Sequence, residues 1–414
     1  VQCWPSTGDG FAAPIVGPAL SDASGWDAEQ YFGTIRLADI DGDGKDDLCA
    51  RAADGFSCWR SRGDGFDEPF SLTDLSDANG FDVASRFGTI RMADLDADAR
   101  TDVCARTDVG MRCWPSTGTG FGAPIEGPAW SDDAGFGRVE YWSTIRLVDL
   151  DADRRADLCV RTSTGMQCHL GDGSGFGEMI AGPAWSDESG WWDYSNYATI
   201  RFADLDADGD LDVCARANAG MRCAAWQDGA FGETVEGPAM SDDTDWHTMA
   251  RFGTLRFVDL DADGRADLCG RGAAGITCFR STGAIFDTAA LLGPEWSDDK
   301  GWSKAQYFET VHAVPSQRRC VIDERCDDGV DDDCDGEIDE GCEVAESSGD
   351  EGGGDDESSA GAETTAAAPG TSGDDDALPS TFGELDDGAG CGCTSGGSSP
   401  WALVLLLRRR RRRR

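Results

Sequence analysis

From residue 1 to about residue 315 the apolar and polar positions fall in short alternating runs, with no 3.6-residue helical period. Thr34-Ile35-Arg36-Leu37-Ala38 alternates and is rich in β-formers. Leu48-Cys49-Ala50-Arg51 and Phe56-Ser57-Cys58-Trp59-Arg60 read as second and third strands, separated by a turn at Asp54-Gly55. A Gly-rich turn at Gly63-Asp64-Gly65 precedes a fourth segment beginning at Phe66. The pattern then restarts. Asp39, Asp94, Asp149, Asp204 and Asp259 stand 55 residues apart, as do Cys49, Cys104, Cys159, Cys214 and Cys269. Cys3, Cys58, Cys113, Cys168, Cys223 and Cys278 keep the same interval. A period held without insertion marks stacked or radial copies of one supersecondary unit. Four short strands per 55 residues predict the blade of a β-propeller, so the expected class is all-β, with the propeller over residues 1–315. A β-helix would need shorter coils, and separate sandwiches about twice the length per domain. Five units are whole; residues 1–30 resemble the end of an earlier one and Glu309–Val314 the first strand of a later one. The two parts together give six blades, with seven left open.

Between the first two strands of every unit lies an acidic loop. The five read DIDGDGKDD (39–47), DLDADARTD (94–102), DLDADRRAD (149–157), DLDADGDLD (204–212) and DLDADGRAD (259–267). Position 1 is Asp39, Asp94, Asp149, Asp204 or Asp259; position 3 is Asp41, Asp96, Asp151, Asp206 or Asp261. Position 5 is Asp43, Asp98, Asp153, Asp208 or Asp263, and position 9 is Asp47, Asp102, Asp157, Asp212 or Asp267. Four carboxylates in nine residues repel one another unless a cation neutralises them. Calcium, which takes 6–8 oxygen ligands in flexible geometry, suits them better than magnesium. Position 7 (Lys45, Arg100, Arg155, Asp210, Arg265) is expected to add its backbone carbonyl. Gly44, Gly209 and Gly264 ease the turn at position 6, whereas Ala99 and Arg154 predict strained, weaker loops. About five such ions would pin blade turns, a structural rather than a chemical task. These loops resemble the FG-GAP/VCBS repeats of the integrin α-chain propeller family, as does Phe121-Gly122-Ala123-Pro124. The resemblance implies a propeller with calcium between the first two strands of each blade. It names no ligand, because the family spans adhesion heads, lectins and enzyme-associated modules.

The paired cysteines 49/58, 104/113, 159/168, 214/223 and 269/278 flank the turn between second and third strands, which predicts one hairpin disulfide per blade. Each would contribute roughly 2–3 kcal/mol in the chain-entropy model. Cys3 has no upstream partner in the sequence; Cys320 is one candidate. Such regular pairs, without the spacing of zinc sites, point to an oxidising compartment. Arginines recur on the first strand (Arg36, Arg91, Arg146, Arg201, Arg256) and on the second (Arg51, Arg106, Arg161, Arg216, Arg271). Aromatics recur at Phe32, Phe87, Trp142, Tyr197 and Phe252. Packing between blades, with Arg paired to carboxylates, is the plainer reading; glycan pockets between blades are the sharper one. Arg62-Gly63-Asp64 spells an integrin-binding tripeptide but occupies a tight-turn register.

Beyond the repeats, residues 320–342 hold Cys320, Cys326, Cys334 and Cys342, which allow three connectivities. Asp331, Asp333, Asp335 and Asp339 repeat the 1-3-5-9 spacing with Glu337 at position 7, predicting one more calcium. The segment resembles the Cys/Asp-rich metal-binding motif of large bacterial surface proteins. Residues 343–390 have the composition of an extended acidic linker. Residues 391–414 comprise Cys391-Gly392-Cys393, a Gly/Ser stretch, an apolar run from Trp401 to Leu407 and seven arginines. This order resembles the MYXO-CTERM sorting signal, in which the Cys is the processing and anchoring point and the Arg cluster stays cytoplasmic. The apolar run departs from that pattern, since seven residues make a helix of about 10 Å against a bilayer core of about 30 Å.

Charge sets the remaining limits. The 414 residues carry a net charge of −44, and residues 321–390 alone hold 25 acids against one base. Such a surface excludes phosphate-backbone binding and so nucleic acid as a partner. With three histidines at non-equivalent repeat positions and no nucleophile, zinc or phosphate-loop motif, catalysis is not expected. The reading is a monomeric, exported, cell-surface propeller that binds an unidentified glycan or protein ligand and meets the membrane only through its C-terminal segment. Propeller lectin is the alternative, and a hydrolase using carboxylates the third choice.

Overall fold

A computed structural model describes residues 1–5, 11–312 and the backbone of 401–403. Within them the repeat is a β-propeller of antiparallel four-stranded sheets, each ordered first-second-third-fourth strand. The first blade is built from Arg36–Ala38, Asp47–Ala52, Gly55–Trp59 and Phe70–Leu72. The next three blades begin at Arg91–Ala93, Arg146–Val148 and Arg201–Ala203, and the fifth at Arg256–Val258. A further sheet pairs Gln2–Pro5 with Ile15–Val16 on one side and Trp401–Leu403 on the other.

Burial explains the strand patterns. In the second strand Asp47 to Arg51 are buried without alternation, because neighbouring blades cover both faces. The third strand alternates and the fourth is more exposed, as an outer edge should be. The apolar core therefore lies between blades. Phe56 and Leu75 of the first blade pack with Ile90, Val103 and Trp114 of the second. Met111 and Trp130 meet Ile145, Leu158 and Val160 in the same way one blade on.

Two elements differ from the sequence expectation. The first strand starts at Arg36 rather than Thr34, because a four-residue helical turn, Glu29–Phe32, runs into it. The same turn recurs at Ala84–Phe87, Val139–Trp142, Tyr194–Tyr197, Met249–Phe252 and Ala305–Phe308. One turn of helix is too short to display a 3.6-residue period. At the last copy Glu309 caps the turn instead of opening a strand, and residues 313–314 lie outside the described part. The fourth strand starts at Phe70, because Phe66 is used in a bridge to Ser61 that closes the preceding turn.

All five hairpin disulfides are present, Cys49–Cys58 through Cys269–Cys278, each joining directly opposed residues of the second and third strands. Cys3 is buried and makes no disulfide among the described residues. No helix of the described residues is long and apolar enough to cross a membrane.

Candidate metal centres

Position 1 organises each acidic loop. Asp39 accepts the Gly42 amide at 2.8 Å on one oxygen and the Gly44 amide at 2.7 Å on the other. The position-6 bond recurs from Ala99 to Asp94 (2.8 Å), Arg154 to Asp149 (2.9 Å), Gly209 to Asp204 (3.1 Å) and Gly264 to Asp259 (3.1 Å). Wrapping the chain round one carboxylate drives position 6 into left-handed backbone. There φ is 65° at Ala99 and 69° at Arg154, the strain expected from their side chains. Position 4 is left-handed too, at Ala97, Ala152, Ala207 and Ala262 as well as Gly42. Alanine gave no sequence signal for that.

Position 9 fastens the loop to the blade. Asp47, Asp102, Asp157, Asp212 and Asp267 are all buried. One oxygen of Asp102 accepts the Leu95 amide at 2.9 Å and the other the Ser116 amide at 2.6 Å. The same two bonds form at Asp157 from Leu150 (2.7 Å) and Gly171 (2.7 Å), and at Asp212 from Leu205 (3.0 Å) and Trp226 (2.8 Å). Burial pushes these carboxyls up, to about 7 at Asp47, Asp102 and Asp212 and about 8 at Asp157, against the amide bonds that favour the charged form. The residues 14 positions downstream that supply the second amide were missed in the sequence. Their types, Ser61, Ser116, Gly171, Trp226 and Ser281, vary because only the backbone is used.

The structure gathers three carboxylates per loop, each offering an oxygen within 4.8 Å of the others. In three loops they are positions 1, 3 and 5: Asp39/Asp41/Asp43, Asp204/Asp206/Asp208 and Asp259/Asp261/Asp263. In the other two they are positions 1, 3 and 9: Asp94/Asp96/Asp102 and Asp149/Asp151/Asp157. Asp98 and Asp153 stay outside these trios and are ion-paired to Arg100 and Arg155. Asp41 Oδ1, Asp151 Oδ1 and Asp206 Oδ1 are buried with no hydrogen-bond donor. A buried carboxylate oxygen without a partner is costly, and a hard cation is the partner such oxygens accept best. The residues fit a divalent cation on this ground. Asp331, Asp333, Asp335, Glu337 and Asp339 lie outside the described residues.

Successive loops are stitched together. The Thr101 amide donates to the Asp39 carbonyl at 2.8 Å, Ala156 to Asp94 at 2.8 Å and Ala266 to Asp204 at 2.7 Å. Ser116 Oγ adds a bond to the Ile40 carbonyl at 2.6 Å.

The recurring arginines and aromatics serve packing. The side chains of Arg51, Arg106, Arg161, Arg216 and Arg271 are wholly buried. They pair with Asp77, Asp132, Asp187, Asp242 and Asp298, with Arg106 to Asp132 at 2.7 Å and Arg271 to Asp298 at 2.8 Å. These aspartates went unremarked in the sequence, although Ser-Asp recurs at 76–77, 131–132, 186–187, 241–242 and 297–298. Phe87, Trp142, Tyr197 and Phe252 are buried and so form no open platform. Arg62-Gly63-Asp64 is a tight turn, with Gly63 at φ 81° and Arg62 paired to Asp67 at 3.1 Å. A crevice of about 210 Å³ opens instead between the fourth and fifth blades, lined by Gln227, Glu233, Glu236, Ser281, Gly283 and Ile285.

Residues 149–215, which include the third and fourth loops, match the FG-GAP-like repeat family. Among solved structures, an Agrocybe aegerita lectin that specifically recognises non-reducing terminal N-acetylglucosamine is similar at 21% identity and a TM-score of 0.62, covering 70% of this chain and 73% of that one. The Photorhabdus luminescens Tc holotoxin pore matches at 17% identity and a TM-score of 0.40, over 67% of this chain and 12% of that one. No curated protein matches the sequence.

Proposed function

We propose that this chain, a propeller with an FG-GAP-like repeat, is a non-catalytic ligand-binding protein whose blades are pinned by calcium. The carrying observation is the acidic loop repeated in register in five blades, with an undonated buried carboxylate oxygen in three of them. Calcium supplies positive charge and tolerates the irregular oxygen sets that the loops offer. Positions 1, 3, 5 and 9 would hold it, while the position-1 and position-9 carboxylates keep the turn wrapped and anchored. An ion bound by the folded blade alone stabilises it by mass action. Five disulfides favour an exported setting, and the resemblance of residues 391–414 to a sorting signal favours the cell surface. Chelation should lower the melting temperature by many degrees and calcium should restore it; an unchanged melting curve refutes the reading.

A glycan is the second reading for the ligand. Two observations favour it: the N-acetylglucosamine-specific lectin that shares this fold, and the crevice between the fourth and fifth blades, where Gln227, Glu233 and Glu236 stand among apolar residues. Amide and carboxylate groups lining a shallow cleft suit sugar hydroxyls. A glycan array probed with the full chain tests it: specific hits that fall on Gln227→Ala support the crevice, and a blank array refutes the lectin reading.

A further inference from the structure

We infer that the residue at position 7 ranks the five loops for cation uptake, and that loop 204–212 fills first. The inference rests on the cation reading above. In four loops position 7 is basic and its side chain turns back onto the position-5 carboxylate. Lys45 Nζ lies 2.7 Å from Asp43 Oδ2, and Arg100, Arg155 and Arg265 are ion-paired to Asp98, Asp153 and Asp263. Each of these loops carries its own tethered counter-ion. An incoming divalent ion must displace that base from one of its ligands and then tolerate a positive charge a few ångströms away, where charges still interact appreciably.

Loop 204–212 is built otherwise. Asp210 stands at position 7, so the loop has five carboxylates and no base. Its backbone amide keeps the ordinary bond to Asp208 at 3.0 Å, so the loop conformation matches the others. Position 7 therefore places no basic side chain on Asp208, and Asp206 Oδ1 is buried without a donor, as are Asp41 Oδ1 and Asp151 Oδ1. Gly209 at φ 92° removes the position-6 strain that Ala99 and Arg154 carry. The fifth loop is the nearest comparison in sequence. DLDADGRAD differs from DLDADGDLD only at positions 7 and 8, and both keep glycine at position 6. Loop affinity for calcium rises with ligand charge, so two differences separate the loops: the exchange of Asp for Arg at position 7, and Arg280, which pairs with Asp261 at 2.8 Å where the fourth loop has Ala225.

Calorimetric titration of the full chain with calcium alone tests this, comparing the parent with Asp210→Arg and with Arg265→Asp combined with Arg280→Ala. Whatever residues 331–339 bind is common to all three proteins and cancels. Asp210→Arg should remove one equivalent from the tight class, weakening that site by roughly tenfold or more. Arg265→Asp combined with Arg280→Ala should add one equivalent to it. Should the tight class be unchanged in both variants while total uptake persists, the ranking is overturned and the cation reading stands. No calcium uptake by the parent chain would overturn the cation reading itself. Because the second variant gains a site, misfolding of the first cannot imitate the expected result.

Discussion

At the scale of single residues, the buried arginine of the second strand is the most exacting position. Arg161 donates to the Trp185 carbonyl at 2.9 Å and pairs with Asp187, its own side chain wholly enclosed. Removing one partner of such a pair costs far more than the pair contributes, because its hydrogen-bonding partners are left unmet. Arg161→Ala should therefore lower stability by about 3 kcal/mol, read from the chemical denaturation midpoint. Its aspartate partners give the molecule an acid limit. Hydrogen bonding from Arg251 holds the Asp298 carboxyl below the usual range, with burial opposing and Arg271 assisting. A depressed folded-state pKa means stability present above about pH 4 and lost as pH falls through the folded value. Melting temperatures between about pH 4 and pH 2 should fall more gently in Asp298→Asn than in the parent; equal slopes would refute this assignment.

At the scale of the element, the acidic loop shows what a linear sequence can and cannot carry. Its position and its spacing were legible, because four aspartates recur at fixed offsets. The division of labour was not legible. Asp39 and Asp47 are the same residue type, yet one wraps a turn and the other ties two strands, and only the hydrogen bonds separate them. Left-handed backbone at position 4 was hidden because alanine fills it in four of the five loops. Strain at position 6 was legible, since Ala99 and Arg154 stand where three loops have glycine. Arg154→Gly should accordingly stabilise the chain by about 1 kcal/mol, and Gly209→Ala should destabilise it by a similar amount, in paired thermal melts. The disulfides were legible for a simpler reason: cysteines nine residues apart across a hairpin fall opposite one another in antiparallel register.

At the scale of the whole molecule, the 55-residue period predicted the propeller, and the structure shows why the period is held from the first acidic loop to the fifth. Core residues sit between blades, so each unit completes the core of its neighbour. Loops of successive blades are tied by amide-to-carbonyl bonds such as Ala266 to Asp204 at 2.7 Å. An ion that stiffens one loop therefore stiffens its neighbours, and chelation should lower the melting of the propeller as one cooperative transition rather than as separate steps; stepwise melting would refute this coupling. The cross-strand disulfides have a mechanical consequence as well. In a chain pulled open by its ends, the length each blade releases sets how far those ends can separate. Cys49–Cys58 and its four counterparts close off nine-residue spans. At about 3.3–3.6 Å per extended residue, roughly 30 Å of each blade can never be paid out while the bridge holds. Under tension each of the five bridged blades thus has a stop built in, set at the same place in all five.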